Sequence, residues 1–120
     1  MSDTTVTLDF PATADFLRLA RMVASDAGSR AGFDFEEIDD LRIAVSEMCI
    51  MLSGSDATIT LEFVQESGHL VVTGSAPVAG PIELNALSRS IIEAVVDEHE
   101  LGAVDGIGHF RIAKHARALR

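Results

Sequence analysis

Residues 34–52 read DFEEIDDLRIAVSEMCIML, and their grammar is that of a capped amphipathic helix. Asp34 is a good N-cap, and Glu37 stands three residues later, the spacing of a capping box. Glu36, Asp39 and Asp40 add negative charge near the positive end of the helix dipole. Ile38, Leu41, Val45, Met48 and Leu52 recur at steps of three and four, which makes one core-facing stripe. Ile43, Glu47, Ile50 and Met51 fall on a second stripe, so Glu47 is a carboxylate set among apolar neighbours. Burying such a group costs free energy unless it is paired or used, which makes Glu47 the first candidate for chemistry. The plain alternative is a glutamate at the helix edge that points into water. Gly54, just past the last apolar residue, fits a helix stop.

On either side of this helix the pattern is mixed. Thr5–Phe10 alternates, with Val6, Leu8 and Phe10 on one face, and reads as a half-buried strand ended by Pro11. Thr13 is an N-cap candidate for a helix running to about Arg30, with Phe16, Ala20, Val23 and Ala27 facing the core and Gly32 closing it. Residues 57–64 and 70–76 alternate around a Glu66-Ser67-Gly68 turn and read as a hairpin. Residues 76–81, APVAGP, are a loop, because Pro and Gly exclude helix and central strand. A third helix is expected over about 85–98, with Leu87, Ile91, Ala94 and Val95 inward. Residues 101–108 read as a loop or a short irregular strand, and Phe110 and Ile112 belong to a last strand. The order is βααββαβ, with room for one more short strand. Strands that are apolar on one face only require a two-layer α+β sandwich. Its mostly antiparallel, mixed sheet of four to five strands is covered on one face by three helices.

Composition narrows the classes. The 120 residues suffice for one domain, 1–120, and at 48% hydrophobic residues the chain is a folded one. No apolar run approaches the roughly 18 residues of a membrane span, and the N-terminus lacks the blocks of a signal peptide. One cysteine, Cys49, allows neither an internal disulfide nor a cysteine zinc site, so helix packing in a reducing cytoplasm is the expected setting. His69, His99, His109 and His115 show no metal-binding spacing. A net charge of −10 argues against nucleic acid and suits a basic partner or simple solubility. Arg111, Lys114, Arg117 and Arg120, with His115, form a basic C-terminus that is either solvated or docks an acidic patch. Asp97, Glu98 and Glu100 form a charge run at the expected end of the third helix, where the dipole disfavours them.

Taken with this order, the helix resembles the ATP-binding fold shared by gyrase, Hsp90, histidine kinases and MutL. More closely it resembles the anti-sigma factor and serine-kinase branch, the RsbW and SpoIIAB type. Residues 40–49, DLRIAVSEMC, are similar to the family's LAVSEAVTN helix. Leu8-Asp9-Phe10 with Leu19-Ala20-Arg21 resembles its first strand and helix. Residues 94–98 resemble the end of its third helix, and residues 110–115 its last strand.

The resemblance implies a catalytic glutamate at Glu47, orienting or deprotonating a hydroxyl. It places the family's Mg²⁺-holding asparagine at Met51, whose thioether is a poor ligand for a hard cation. The family's adenine-reading acid would fall in residues 74–80, around Ala76, where there is no acid. Its phosphate-cradling glycines fall near Ala86 and Ser88, and its lid is cut to a few residues around 77–84. With metal holding, adenine reading and phosphate cradling all altered, Mg-ATP is not expected as a cofactor. The resemblance then implies a binding module, an anti-sigma factor that holds an alternative sigma factor and yields it to a STAS-type antagonist. Arg21, with Arg18 one turn earlier, stands where the family contacts sigma. The alternative it leaves open is an active ATP-dependent serine/threonine kinase of the RsbW type. A third reading is an adaptor using a wet sheet face, with Thr58, Thr60, Glu62, Thr73 and His109. Homodimers through exposed sheet edges are a further expectation.

Overall fold

A computed structural model describes residues 4–54 and 57–117. The elements are β1 (Thr4–Pro11), a 3₁₀ turn (Ala14–Phe16), α1 (Leu17–Arg30), α2 (Phe35–Leu52), β2 (Thr58–Glu66) and β3 (His69–Pro77), followed by α3 (Ala86–Val95), β4 (Glu98–Val104) and β5 (Ile107–His115). The five strands form one antiparallel sheet in the order β1-β2-β3-β5-β4, and the helices cover one face. This is the α+β sandwich expected from the one-faced strands. Every neighbouring pair runs antiparallel, so the sheet is not mixed.

Alternation sorts the sheet. Ile59, Leu61 and Phe63 of β2, Leu70 and Val72 of β3, and Phe110 and Ile112 of β5 are buried under the helices. Each such side chain contributes on the order of 1.5–3 kcal/mol by leaving water. Gly74 of β3 pairs with Phe110 of β5, whose ring lies over the glycine where a Cβ would stand. Thr58, Thr60, Glu62, Thr73 and His109 share the opposite, open face.

The helix boundaries follow local chemistry. Around α2, Asp34 accepts the Glu37 N–H at 2.8 Å and Glu37 accepts the Asp34 N–H at 3.0 Å, so the capping box forms in full. Between α1 and α2 the Gly32 N–H bonds the Ser29 carbonyl and the Phe33 N–H bonds the Gly28 carbonyl. With Gly32 at φ 93°, this is a Schellman close. Gly28 lets α1 meet Leu41 and Phe33 at a distance a larger residue would crowd.

Five expectations are corrected. Thr13 makes no side-chain cap, and the chain first takes a 3₁₀ turn. The buried face of α1 is therefore Leu17, Ala20, Ala24 and Ala27, while Phe16 is exposed and Val23 half-buried. The helix expected to reach residue 98 stops at Val95, where Val96 turns extended. Its buried face is Ile92, continued by Val96, with Ser88 half-buried on the same side; Leu87 and Ala94 are exposed and Ile91 and Val95 half-buried. Residues 98–104, expected to be helix end and then a loop or short irregular strand, form the regular strand β4, joined to β5 by a two-residue turn.

Asp97, Glu98 and Glu100 accordingly oppose no helix dipole. Asp97 accepts the His115 N–H at 2.7 Å, and Glu98 pairs with Arg111 at 3.0 Å. The basic C-terminus docks on the molecule itself. Lys114 Nζ donates to the Val95 carbonyl at the end of α3 at 2.7 Å and lies 3.9 Å from Asp40. The Arg117 N–H donates to buried Glu37 at 2.6 Å, and its guanidinium reaches Asp34 and Glu36, both at 3.4 Å. Arg120 lies outside the described residues. No described helix is long and apolar enough to cross a membrane.

Candidate functional site

The two stripes of α2 have different fates. Leu41, Val45, Met48 and Leu52 are buried, together with Ala44 and Cys49. On the second stripe Ile43 and Ile50 are exposed, and Glu47 and Met51 are half-buried. Glu47 thus stands at the margin of the core, and it is not left to water alone. The hydroxyl of Ser88, in the first turn of α3, donates to its Oε2 at 3.3 Å. The carboxylate therefore lies beside the N-terminus of α3, where the helix dipole favours negative charge.

That N-terminus is satisfied from within. Asn85 is its N-cap, and its Oδ1 accepts the Ser88 N–H at 2.8 Å. Ala86, the first residue of α3, is exposed. The Ser88 amide that a phosphate oxygen would seek is thus already held by a side chain. Asn85 was visible in sequence as the start of the third helix. Its use in holding this amide was not.

Met51 lies one turn beyond Glu47 and packs against the core. It brings a thioether, a soft donor, to a place where a hard cation needs oxygen. Ala76, near the end of β3, is buried in the core and offers only a methyl group. The segment joining β3 to α3 lies down on the molecule. Its Val78 and Ile82 pack with Leu52 over Gly108, close enough that a Cβ on Gly108 would meet them at 2.8, 3.0 and 2.9 Å. Leu84 is buried as well, and the Val78 N–H bonds the Gly106 carbonyl at 2.9 Å. Leu52, Val78 and Ile82 were missed as site residues, because their apolar side chains carry no chemical signal in sequence.

On the other side of α2 the fold unites residues that sequence had assigned to separate roles. Arg21 of α1 donates to Ser46 Oγ at 3.3 Å across the helix pair. Arg21, Ser46 and Glu47 line one open cleft of about 400 Å³, with Asp39, Arg42 and Ile43. Arg42 is 3.6 Å from Asp39, an exposed pair of little energetic weight. Among the described residues Arg21 meets no carboxylate, and Arg18, one turn earlier, is exposed and likewise meets none. Cys49 is no nucleophile. Burial pushes its thiol up to about 12, so it stays protonated. Among the described residues no group of three or more His, Cys, Asp or Glu side chains is placed to hold a metal ion.

No protein-family model matches the chain. Curated relatives do. The chain is 50% identical over 114 residues to the serine-protein kinase RsbW of Listeria monocytogenes serotype 4a, a match spanning 89% of this chain and 72% of that protein. It is 39% identical over 44 residues to the serine-protein kinase RsbW of Bacillus subtilis strain 168, over 37% of this chain and 28% of that protein. Among solved structures, a chain holding the RsbU and RsbW domains of Rv1364c from Mycobacterium tuberculosis superposes with a TM-score of 0.71 at 15% identity. That match covers 93% of this chain and 32% of the solved one, and it speaks for the fold.

Proposed function

The chain belongs to the RsbW family of anti-sigma factors and serine-protein kinases, and on that premise we propose that it works as a binding module. In this reading it holds an alternative sigma factor, yields it to a STAS-domain antagonist, and does so without productive Mg-ATP binding. The observation that carries the reading is the packing of Val78 and Ile82 on Leu52 over Gly108. The shortened lid contributes to the core, so opening a nucleotide pocket there would expose apolar surface. The Met51 thioether and the Asn85-capped amide of Ser88 support it further. Phosphoryl transfer rests on positioning and charge neutralisation, and these residues supply neither.

Arg18 and Arg21 are the proposed contact with sigma. Four of the seven described arginines have carboxylate partners, Arg30 with Asp26 and Arg117 with Asp34 among them. Arg21 instead leans on a serine hydroxyl at the mouth of a cleft, ready for an acid on a partner. Arg21→Glu is expected to weaken capture of the cognate sigma factor at least about tenfold, since it sets like charges against each other. Its melting temperature should stay that of the parent chain. An Arg21→Glu protein that retains every sigma complex removes this contact from the proposal.

The kinase reading keeps one observation in its favour. Glu47 receives a serine hydroxyl, the group a kinase base would orient. The two readings separate in a thermal melt. A ligand present at about a thousand times its Kd stabilises the native state by roughly 4 kcal/mol. No shift is expected at millimolar Mg-ATP, whereas a clear shift with phosphate transfer to a serine of the STAS protein would establish the kinase.

A further inference from the structure

At the far end of the sheet from β1, β4 pairs with β5 alone. The turn between them is Asp105-Gly106, both with positive φ, 51° and 80°. A two-residue turn of this kind makes Val104 and Ile107 a hydrogen-bonded pair. The antiparallel alternation then turns the backbone groups of Glu98, Glu100 and Gly102 toward β5. It leaves the N–H and C=O groups of His99, Leu101 and Ala103 aimed at the open edge. A seven-residue strand with such an edge is a template for another strand, and β4 carries neither the lysine nor the proline that commonly guards one.

The side chains beside this edge are sorted as well. On the helix side, Leu101 joins Ile82 and Leu84 in a cleft of about 280 Å³. His99 also lines it and is answered by Glu93 at 3.7 Å. Glu83, Glu100 and Arg89 complete the lining. Toward the open face, Glu98 and Glu100 alternate outward, both exposed, and Glu98 is answered by Arg111. Glu83 and Glu100 have no cationic partner among the described residues. An incoming strand would therefore meet Leu101 and Ile82 within a largely polar cleft on one side, and on the other Glu100 beside Glu98, which Arg111 already pairs.

We propose that the β4 edge is a strand-addition site for an extended segment of a partner protein that alternates apolar and basic residues. Main-chain bonds to His99, Leu101 and Ala103 supply the affinity. The alternating side chains supply the specificity, apolar ones against Leu101, Ile82 and Leu84, basic ones against Glu98 and Glu100. A second copy of this chain is disfavoured, because two chains of net charge −10 repel each other. The site is distinct from the α1–α2 cleft and does not depend on how sigma is held.

The test uses the whole chain and a fluorescein-labelled octapeptide of alternating lysine and valine. Binding by anisotropy is expected, with slowed amide exchange at His99, Leu101 and Ala103. A peptide of the same composition with its lysines and valines in separate blocks, and one alternating glutamate with valine, are expected to bind at least tenfold more weakly. Ala103→Pro removes one edge donor without touching the ladder to β5 and should abolish binding. Glu100→Lys should weaken it about tenfold even if the proline variant does not fold. Equal binding of the block peptide, protection at β1 or in the α1–α2 cleft, or self-association through β4 would each overturn the proposal. So would no binding at millimolar peptide. Sigma capture by Glu100→Lys is expected to be unchanged, so failure here leaves the anti-sigma reading standing.

Discussion

Asp34 shows how much a single residue can settle. Its carboxylate accepts the Glu37 N–H, and that bond, with Arg117 beside it, holds its titration below the usual carboxylate range. The sign of the pH effect follows. A carboxyl whose folded value is lowered adds stability that is fully present above the ordinary carboxylate range and is lost as pH falls through the folded value. Asp34→Ala is therefore expected to lower the melting temperature near neutral pH. The difference from the parent should shrink steadily as pH drops below about 4. Parallel acid limbs for the two proteins would show that the cap contributes nothing through its charge. Asp34 and Glu37 were legible as a capping box from spacing alone, because that interaction spans three residues. Glu37's second task, holding the Arg117 N–H from 80 residues away, was not legible.

Elements obeyed local rules wherever one face was marked clearly. The strands of the β2–β3 hairpin follow their alternation, and Gly74 shows the close fit this produces. A Cβ there would run into the Phe110 ring and come within 2.9 Å of Leu61. Gly74→Ala is expected to cost about 1–3 kcal/mol, the usual price of overpacking a core, measurable as a lower denaturant midpoint with unchanged slope. Its neighbour Val72→Ala would cost a similar amount by the opposite route, so the Gly74 result is diagnostic only beside an unchanged Gly80→Ala control, where a Cβ meets nothing within 4 Å. The third helix was read one residue out of phase. Its buried stripe begins with a polar residue, Ser88, whose hydroxyl is used by Glu47, so hydropathy pointed to the neighbouring face. β4 was legible only as a possible short strand, and its start was read as helix, for a related reason. Residues 98–100, EHE, suit a helix as well as a strand, and only the Asp105-Gly106 turn and the partner strand β5 decide between them.

Over the whole molecule, the C-terminus gathers elements that are far apart in sequence. Lys114 closes α3, the Ala116 N–H bonds the Gly68 carbonyl at 2.8 Å, and Arg117 reaches the start of α2. Glu37 is the centre of this clasp, fully buried and bonded to both Asp34 and Arg117. Removing it leaves the Asp34 and Arg117 N–H groups without their acceptor, while the Arg117 guanidinium keeps Asp34 and Glu36 at 3.4 Å. Glu37→Ala is expected to destabilise the chain by about 2–4 kcal/mol, while Glu37→Gln, which keeps an acceptor oxygen, should lose less. Equal losses would mean that volume, and not hydrogen bonding, is what Glu37 contributes. The basic tail, open in sequence between solvent and a partner's acids, thus finds its acids at home.

Sequence by itself determined the sandwich, the capped second helix, the family resemblance and the residues standing where a nucleotide's ligands would be. All of these rest on periodicity, caps and turns, which are local and repeat at fixed spacing. Only the tertiary structure decided that Ser88 answers Glu47, that Arg21 leans on Ser46 beside the same glutamate, and that Val78 and Ile82 close over Gly108. It also decided that the last basic residues bind the start of α2 and that β4 is left with an open edge. Such pairings join positions tens of residues apart, and which polar group meets which is settled by how the helices lie on the sheet, a choice no local pattern encodes.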